Sequence, residues 1–158
     1  MNSFVNKSFL FFSVSRERME SFRAFFDRHG TAIVASVLSA ISVWAFLYYY
    51  HNGLGIAYND ARSHLDIGRR VVEGLRPGFA QLGSVWLPLT HLLMTLTIWN
   101  DFMWHSGLAG ALWSMISFVA TGVMLFLFLR EMGVGLIGRY VSVVVFAANL
   151  NILYLQST

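Results

Sequence analysis

Cysteine is absent from the 158 residues, and charge is scarce. The first absence removes any disulfide framework, thiolate metal site or cysteine nucleophile. The second is more telling. Charged side chains make up 12% of the chain and apolar ones 56%, with a mean hydropathy of +0.59, whereas about a quarter of an ordinary soluble domain is charged. A glycine-rich phosphate loop, a nucleophile elbow and a zinc-protease helix are missing too, so soluble nucleotide chemistry has no visible support. The charge that is present leans positive, 11 Lys and Arg against 8 Asp and Glu. It is dispersed rather than massed into a basic tract, which argues against nucleic acid as a partner.

What is there is apolar sequence in membrane-length runs. A spanning helix needs roughly 20 mainly apolar residues, and three stretches meet that need: Thr31–Tyr50, residues 107–129 and residues 136–155. The expected fold class is an all-α integral membrane bundle of about three transmembrane helices, with juxtamembrane helices in the first external loop. Lys7, Arg16, Arg18, Arg23 and Arg28 precede the first run, and Arg130 and Arg139 lie around the 130–135 turn. The positive-inside rule assigns these to the cytoplasm of a multi-pass plasma or inner membrane protein. Residues 1–30 are then a cytoplasmic segment, with Gly30 as a break before the first span, and 51–106 an external loop. The opening "MNSFVNKSFLFFSVS" has a weak signal-peptide character, and Met19 is an alternative start. A fourth apolar stretch, 82–99, is short and holds Pro88 and His91, with Trp86 and Trp99 suited to the headgroup level. It is expected at the membrane surface or packed within protein.

Charge concentrates in "YNDARSHLDIGRR", Tyr58 to Arg70. On a wheel of about 100° per residue, Asp60 to Leu75 divides into two sides. Arg62, Ser63, Asp66, Arg69, Arg70 and Glu73 share one. Ala61, Leu65, Ile67, Val71, Val72 and Leu75 share the other. Arg62 with Asp66, Asp66 with Arg70 and Arg69 with Glu73 have the spacing of helical ion pairs, each worth about 0.2–0.5 kcal/mol. Asp60 and His64 project toward the apolar sector instead. A carboxylate facing a low-dielectric environment has the makings of a general base, although Asn59 or Asp60 also suits a helix N-cap. His64 equally suits a buried histidine bonded to backbone or to Asp60. Arg69 and Arg70 suit either a phosphate clamp or a paired surface. Gly74, Pro77 and Gly78 end the helix. One Asp and one His at i and i+4 are too few for a metal site, so none is expected.

The run "YNDARSHLDIGRRVVEGLRPGFAQLGSVWLPLTHLLM" resembles the first external loop of polytopic membrane glycosyltransferases of the GT-C class, the group that includes protein O-mannosyltransferases. "AQLGSVWLPL" is its most specific part, and the closing "YLQST" resembles the exit of the third span in that group. The resemblance implies a hexosyltransferase that moves a sugar from a polyprenyl-phosphate carrier to a protein, lipid or polysaccharide acceptor on the outer face. No other cofactor is implied. It also implies that Asp60, which stands where these enzymes carry a key loop acid, is catalytic, with His64, Arg69 and Arg70 binding substrate. The chain departs from the pattern in having Asn59 and Ala61 where many relatives have a second acid, and in its length. A longer protein is therefore expected, and 158 residues alone are expected to be inactive. Two other readings stand beside this one: a non-catalytic three-span subunit, and a fragment of a transporter or flippase with Asp60 and His64 relaying protons.

Overall fold

The computed structural model describes residues 3–82 and 88–158, with side chains from residue 18 onward. Residues 83–87 lie outside it, and with them Trp86 and the middle of "AQLGSVWLPL". Among the described residues the fold is all-helical: α1 (Ser3–His51), α2 (Asn59–Glu73), a short 3-10 turn (Phe79–Leu82), α3 (Pro88–Met94), α4 (Asp101–Ser106), α5 (Leu108–Glu131), α6 (Leu136–Ala147) and α7 (Leu150–Leu155). Two helices are long and apolar enough to cross a membrane, the Arg18–His51 part of α1 and α5.

Two elements differ from expectation. Gly30 does not break the first helix, because α1 runs through it without interruption. The cost of a helical glycine, about 1 kcal/mol, is set against close packing. Gly30 is buried, and a Cβ built there would lie 2.6 Å from Phe126 Cζ and 3.1 Å from the Tyr140 hydroxyl. The run 136–155 is not one helix either. α6 ends at Ala147, and the Asn149 side chain accepts hydrogen bonds from the backbone N–H groups of Asn151 and Ile152 to start α7. An Asn side chain that satisfies free N–H groups favours a new start over continuation.

α1, α5 and the α6–α7 pair form a bundle whose core includes Val34, Leu38, Phe118, Phe126, Val143 and Leu153. Its helix directions can be read from the contacts at its two ends. At one end the Tyr140 hydroxyl donates to the Phe26 carbonyl (3.1 Å) and Arg139 pairs with Asp27 at 2.8 Å. At the other, Tyr154 packs on Tyr49 and donates to the Leu54 carbonyl at 3.3 Å. Hence α5 runs antiparallel to α1 and α6. The 130–135 turn and the amino-terminal half of α1, with Arg28, Arg130 and Arg139, share the first end. Deep in the bundle, Ser42 donates to Gln156 Oε1 (2.5 Å), and Gln156 Nε2 donates to Ser157 Oγ (2.7 Å). This buried polar clasp fastens α7 to α1, and leaving either partner unsatisfied would cost about 1–3 kcal/mol.

Gly30→Leu is expected to separate α1 from α5 and α6, since the Phe126 ring is fully buried and has little room to yield. Overpacking of this kind costs about 1–3 kcal/mol. Thermal unfolding of the purified protein in detergent should fall by several degrees. An unchanged midpoint would show that the ring rotates away without penalty.

Candidate functional site

α2 starts earlier than the cap readings require. Tyr58 is the N-cap residue, with extended φ/ψ and no side-chain cap bond, and Asn59 and Asp60 are already helical. Neither is the cap. Asp60 sits in the first turn, where its charge still favours the positive end of the helix dipole, and the Tyr58 hydroxyl donates to its Oδ2 at 3.4 Å. The helix stops at Glu73, and the Gly74 N–H bonds back to the Arg70 carbonyl. Leu75, assigned above to the apolar side, therefore lies beyond the helix and is fully exposed.

The buried side of α2 holds Leu65, Ile67, Gly68 and Arg69. Leu65 joins Met94, Ile98 and Ala109 in a second small core, bordered by Met103, Trp104 and Trp113. Gly68 is buried against the same residues, and a Cβ built there would lie in ordinary contact, 3.6 Å, with both Met94 and Ile98. The apolar 82–99 stretch contributes α3, a helix of only seven residues that begins at Pro88 and buries His91 and Met94. Turns follow to Asn100, and Trp99 is exposed. α4 was not read from the sequence, although Asn100 caps it by accepting from the Met103 N–H and Gly107 closes it at φ 80°. Asn before and Gly after an apolar stretch are its local signals.

Arg69 is the largest departure from the wheel. Its side chain is 8% exposed rather than on a solvated face. Nε donates to Glu73 (2.7 Å) and Nη1 to the Ile98 carbonyl (2.7 Å), while Nη2 reaches both Glu73 and Asp101. Its guanidinium also lies 4.8 Å from the centre of the Trp104 ring. Burial opposes the charge, but the hydrogen bonds of Glu73 and Asp101 outweigh it and hold the pKa above the ordinary arginine value. Arg69 is thus committed to joining α2 to the α3–α4 turn. Arg70 is exposed. Of the three expected ion pairs on α2, only Arg69–Glu73 forms among the described residues; Arg62 and Arg70 are exposed and Asp66 is half-buried, and exposed pairs gain little against side-chain entropy.

Asp60 and His64 line a cavity of ≈ 270 Å³ with Tyr58 and Leu65 of the α2 region, Thr90 and Met94 of α3, Gly110 and Ser114 of α5, and Leu155 and Thr158 at the end of α7. It lies at the bundle end opposite Arg139 and the 130–135 turn. Thr90, Ser114 and Leu155 also line a larger groove of ≈ 410 Å³, which runs between α3, α5 and the α6–α7 pair past Leu93, Trp113, Phe118, Phe146 and Ile152. The cavity and the mostly apolar groove thus share a wall formed by Thr90, Ser114 and Leu155. Of the cavity's polar lining, Thr90, Ser114 and Thr158 were not anticipated, because they come from three elements distant in sequence.

His64 and His91 were expected separately and meet here. His64 Nδ1 and His91 Nε2 are 2.8 Å apart. The rings are tilted by 35° with centroids 4.9 Å apart. His91 is 0% exposed; burial first, and the neighbouring His64 second, lower its pKa below the ordinary histidine value. Among the described residues no group of three or more His, Cys, Asp or Glu is placed to hold a metal ion. No family model, curated protein or solved structure matches the chain.

Proposed function

We propose that this chain carries the first external loop and flanking spans of a GT-C class membrane glycosyltransferase, with α1, α5 and the α6–α7 pair crossing the membrane. The observation that carries the reading is Asp60, with Tyr58, His64, Thr90, Ser114 and Thr158, lining a cavity that shares a wall with a mostly apolar groove. A polyprenyl-phosphate sugar has this division of chemistry: a polar, charged head and a long hydrocarbon tail. Two features support a lipid surrounding. Val37, Trp44, Leu47, Ile116, Met124 and Phe128 all point outward from α1 and α5, a surface too apolar for water to cover cheaply. Arg28, Arg130 and Arg139 lie at one end of the bundle and Arg62, Arg69, Arg70 and Arg76 in the loop at the other; with the remaining basic residues of the first 30 positions the first end carries the larger number, and the positive-inside rule assigns it to the cytoplasm, so that Asp60 faces the outer side.

In the proposed step Asp60 takes the proton of the acceptor hydroxyl as its oxygen bonds to the anomeric carbon. The bond from that carbon to the phosphate oxygen breaks, and the polyprenyl phosphate leaves with the electron pair. One base and charge stabilisation suffice, because the phosphate is already a good leaving group. Arg69 is engaged by its two carboxylates, and Arg69 and Arg70 border a separate pocket with Asp66, Glu73 and Trp104 rather than the cavity that Asp60 lines. The sugar, the carrier length and the acceptor class are open in this reading.

The test is transfer of radiolabelled sugar from a synthetic polyprenyl-phosphate donor in membranes of cells that make the protein from its own locus, compared with a deletion strain. Label should reach an acceptor only when the locus is intact. Equal labelling in both strains, across a panel of hexose donors, would sink the proposal.

A further inference from the structure

The transfer step above leaves the acceptor class open, and a second pocket at the same end of the bundle bears on it. We infer that this pocket, lined by Tyr50, Phe102 and His105 among others, is a subsite for a neutral saccharide ring of the acceptor. The inference rests on the transferase reading and narrows it, making the acceptor a glycan.

The pocket forms where the loop after α1 meets α4. Its volume is ≈ 350 Å³, with Tyr50 and Ile56 on one side and Phe102, His105 and Ser106 on the other. Gly107 suits this meeting: its φ is 80°, a conformation that side-chain-bearing residues rarely adopt, and a Cβ there would crowd Ile56 Cγ2 at 3.0 Å. Tyr58, two residues beyond Ile56, lines the Asp60 cavity. The backbone between the two spaces is therefore short, at most about 7 Å from Ile56 to Tyr58, and an acceptor a few rings long can reach from one to the other.

The lining selects the ligand. It carries no Asp, Glu, Lys or Arg, so a phosphate or carboxylate finds no cation to pair with. Phe102 is 65% exposed, on a short helix whose Asp101 and His105 also face water, and it makes no ring contact among the described residues. Its π face is free for the C–H bonds of a sugar ring. His105 Nδ1 donates to the Asp101 carbonyl at 2.8 Å; a carbonyl oxygen only accepts, which leaves Nε2 of the neutral ring with its lone pair. Neither that nitrogen nor the Tyr50 hydroxyl has a hydrogen-bond partner among the described residues. The Ser106 hydroxyl is already engaged, donating to the Met103 carbonyl and accepting from the Leu108 N–H, both at 3.4 Å. A fixed acceptor, a phenol that gives and takes, and an uncharged aromatic platform match a pyranose, which has hydroxyl donors on its rim and C–H bonds on its face. A purely apolar ligand would cover His105 and Tyr50 without answering either.

Binding can be measured apart from transfer. The full chain in lipid nanodiscs, with histidine labelled in its ring nitrogens, is titrated by NMR with the methyl glycosides of glucose, mannose, galactose and N-acetylglucosamine, each up to about 50 mM. At least one is expected to shift the His105 Nε2 resonance and to receive saturation from the protein at its ring C–H protons. Phe102→Ala should weaken that glycoside about threefold to tenfold with the hydrogen-exchange protection of α5 unchanged, and Phe102→Trp should retain it. No shift with any glycoside, or an affinity indifferent to Phe102→Ala, overturns the subsite. Equal shifts from hexanol at the same concentration overturn it too, by making the pocket a site for apolar chains. The transfer assay separates the two readings. If label reaches only acceptors without sugar, at a rate that Phe102→Ala does not change, the subsite falls and the transferase stands. If the glycosides bind as expected and the intact locus transfers nothing, the transferase falls, and the acceptor role goes with it while the saccharide pocket stays.

Discussion

Asp60→Asn is expected to lower sugar transfer by about 10²- to 10⁴-fold, the usual contribution of a positioned general base, while the protein stays folded and membrane-embedded. The substitution keeps the side chain's shape and an acceptor for the Tyr58 hydroxyl, and removes only the charge and the basic lone pair. The fold loses little. Asp60 is not the helix cap, so the remaining structural loss is its favourable interaction with the helix dipole, about 0.3–1 kcal/mol. Transfer measured beside the hydrogen-exchange protection of α2 separates the two effects. Lost transfer with intact protection identifies a base; retained transfer removes Asp60 from the chemistry and favours a non-catalytic subunit that uses this loop to hold a partner.

The apolar runs were legible because length and composition are local properties. Thr31–Tyr50 falls within the Arg18–His51 part of α1, and the 107–129 run corresponds closely to α5. Gly74 and Gly78 marked the end of α2 for an equally local reason: the Gly78 N–H bonds back to the Val71 carbonyl at 2.9 Å. What failed depended on distant partners. A wheel placed Arg69 with the solvated charges, because its ligands Ile98 and Asp101 lie 29 and 32 residues away. Gly30 read as a break because glycine weakens a helix locally, whereas here the approach of Phe126, 96 positions later in the chain (126 − 30), makes it the residue that fits. The candidate site was half visible in the same way. Asp60 and His64 shared a helix and a face, but no periodicity within α2 announced that His91 would supply the partner, or that α5 and α7 would close the cavity with Ser114 and Thr158.

Arg69→Met is expected to loosen α2 from the rest of the protein and, through it, to lower transfer without touching the reacting groups. Methionine retains an apolar stem of similar length, so packing against Trp104 is largely kept; the donors are lost. Their loss is felt unevenly. Glu73 and Asp101 are 55% and 74% exposed and return to water, so each ion pair counts for about 0–1 kcal/mol. The Ile98 carbonyl cannot do the same, because Ile98 is 0% exposed, and an unsatisfied buried acceptor costs about 1–3 kcal/mol. A total of about 2–3 kcal/mol corresponds to a rise of roughly 30- to 150-fold in the open population of α2, at 1.4 kcal/mol per decade. Hydrogen exchange should show this as faster exchange of the α2 amides with α1 and α5 unchanged. Arg69→Lys, which keeps the charge but not the planar fork, should fall between. Equal protection of α2 in all three proteins would mean that Leu65 and Gly68, packed on Met94 and Ile98, hold the loop in place without the arginine.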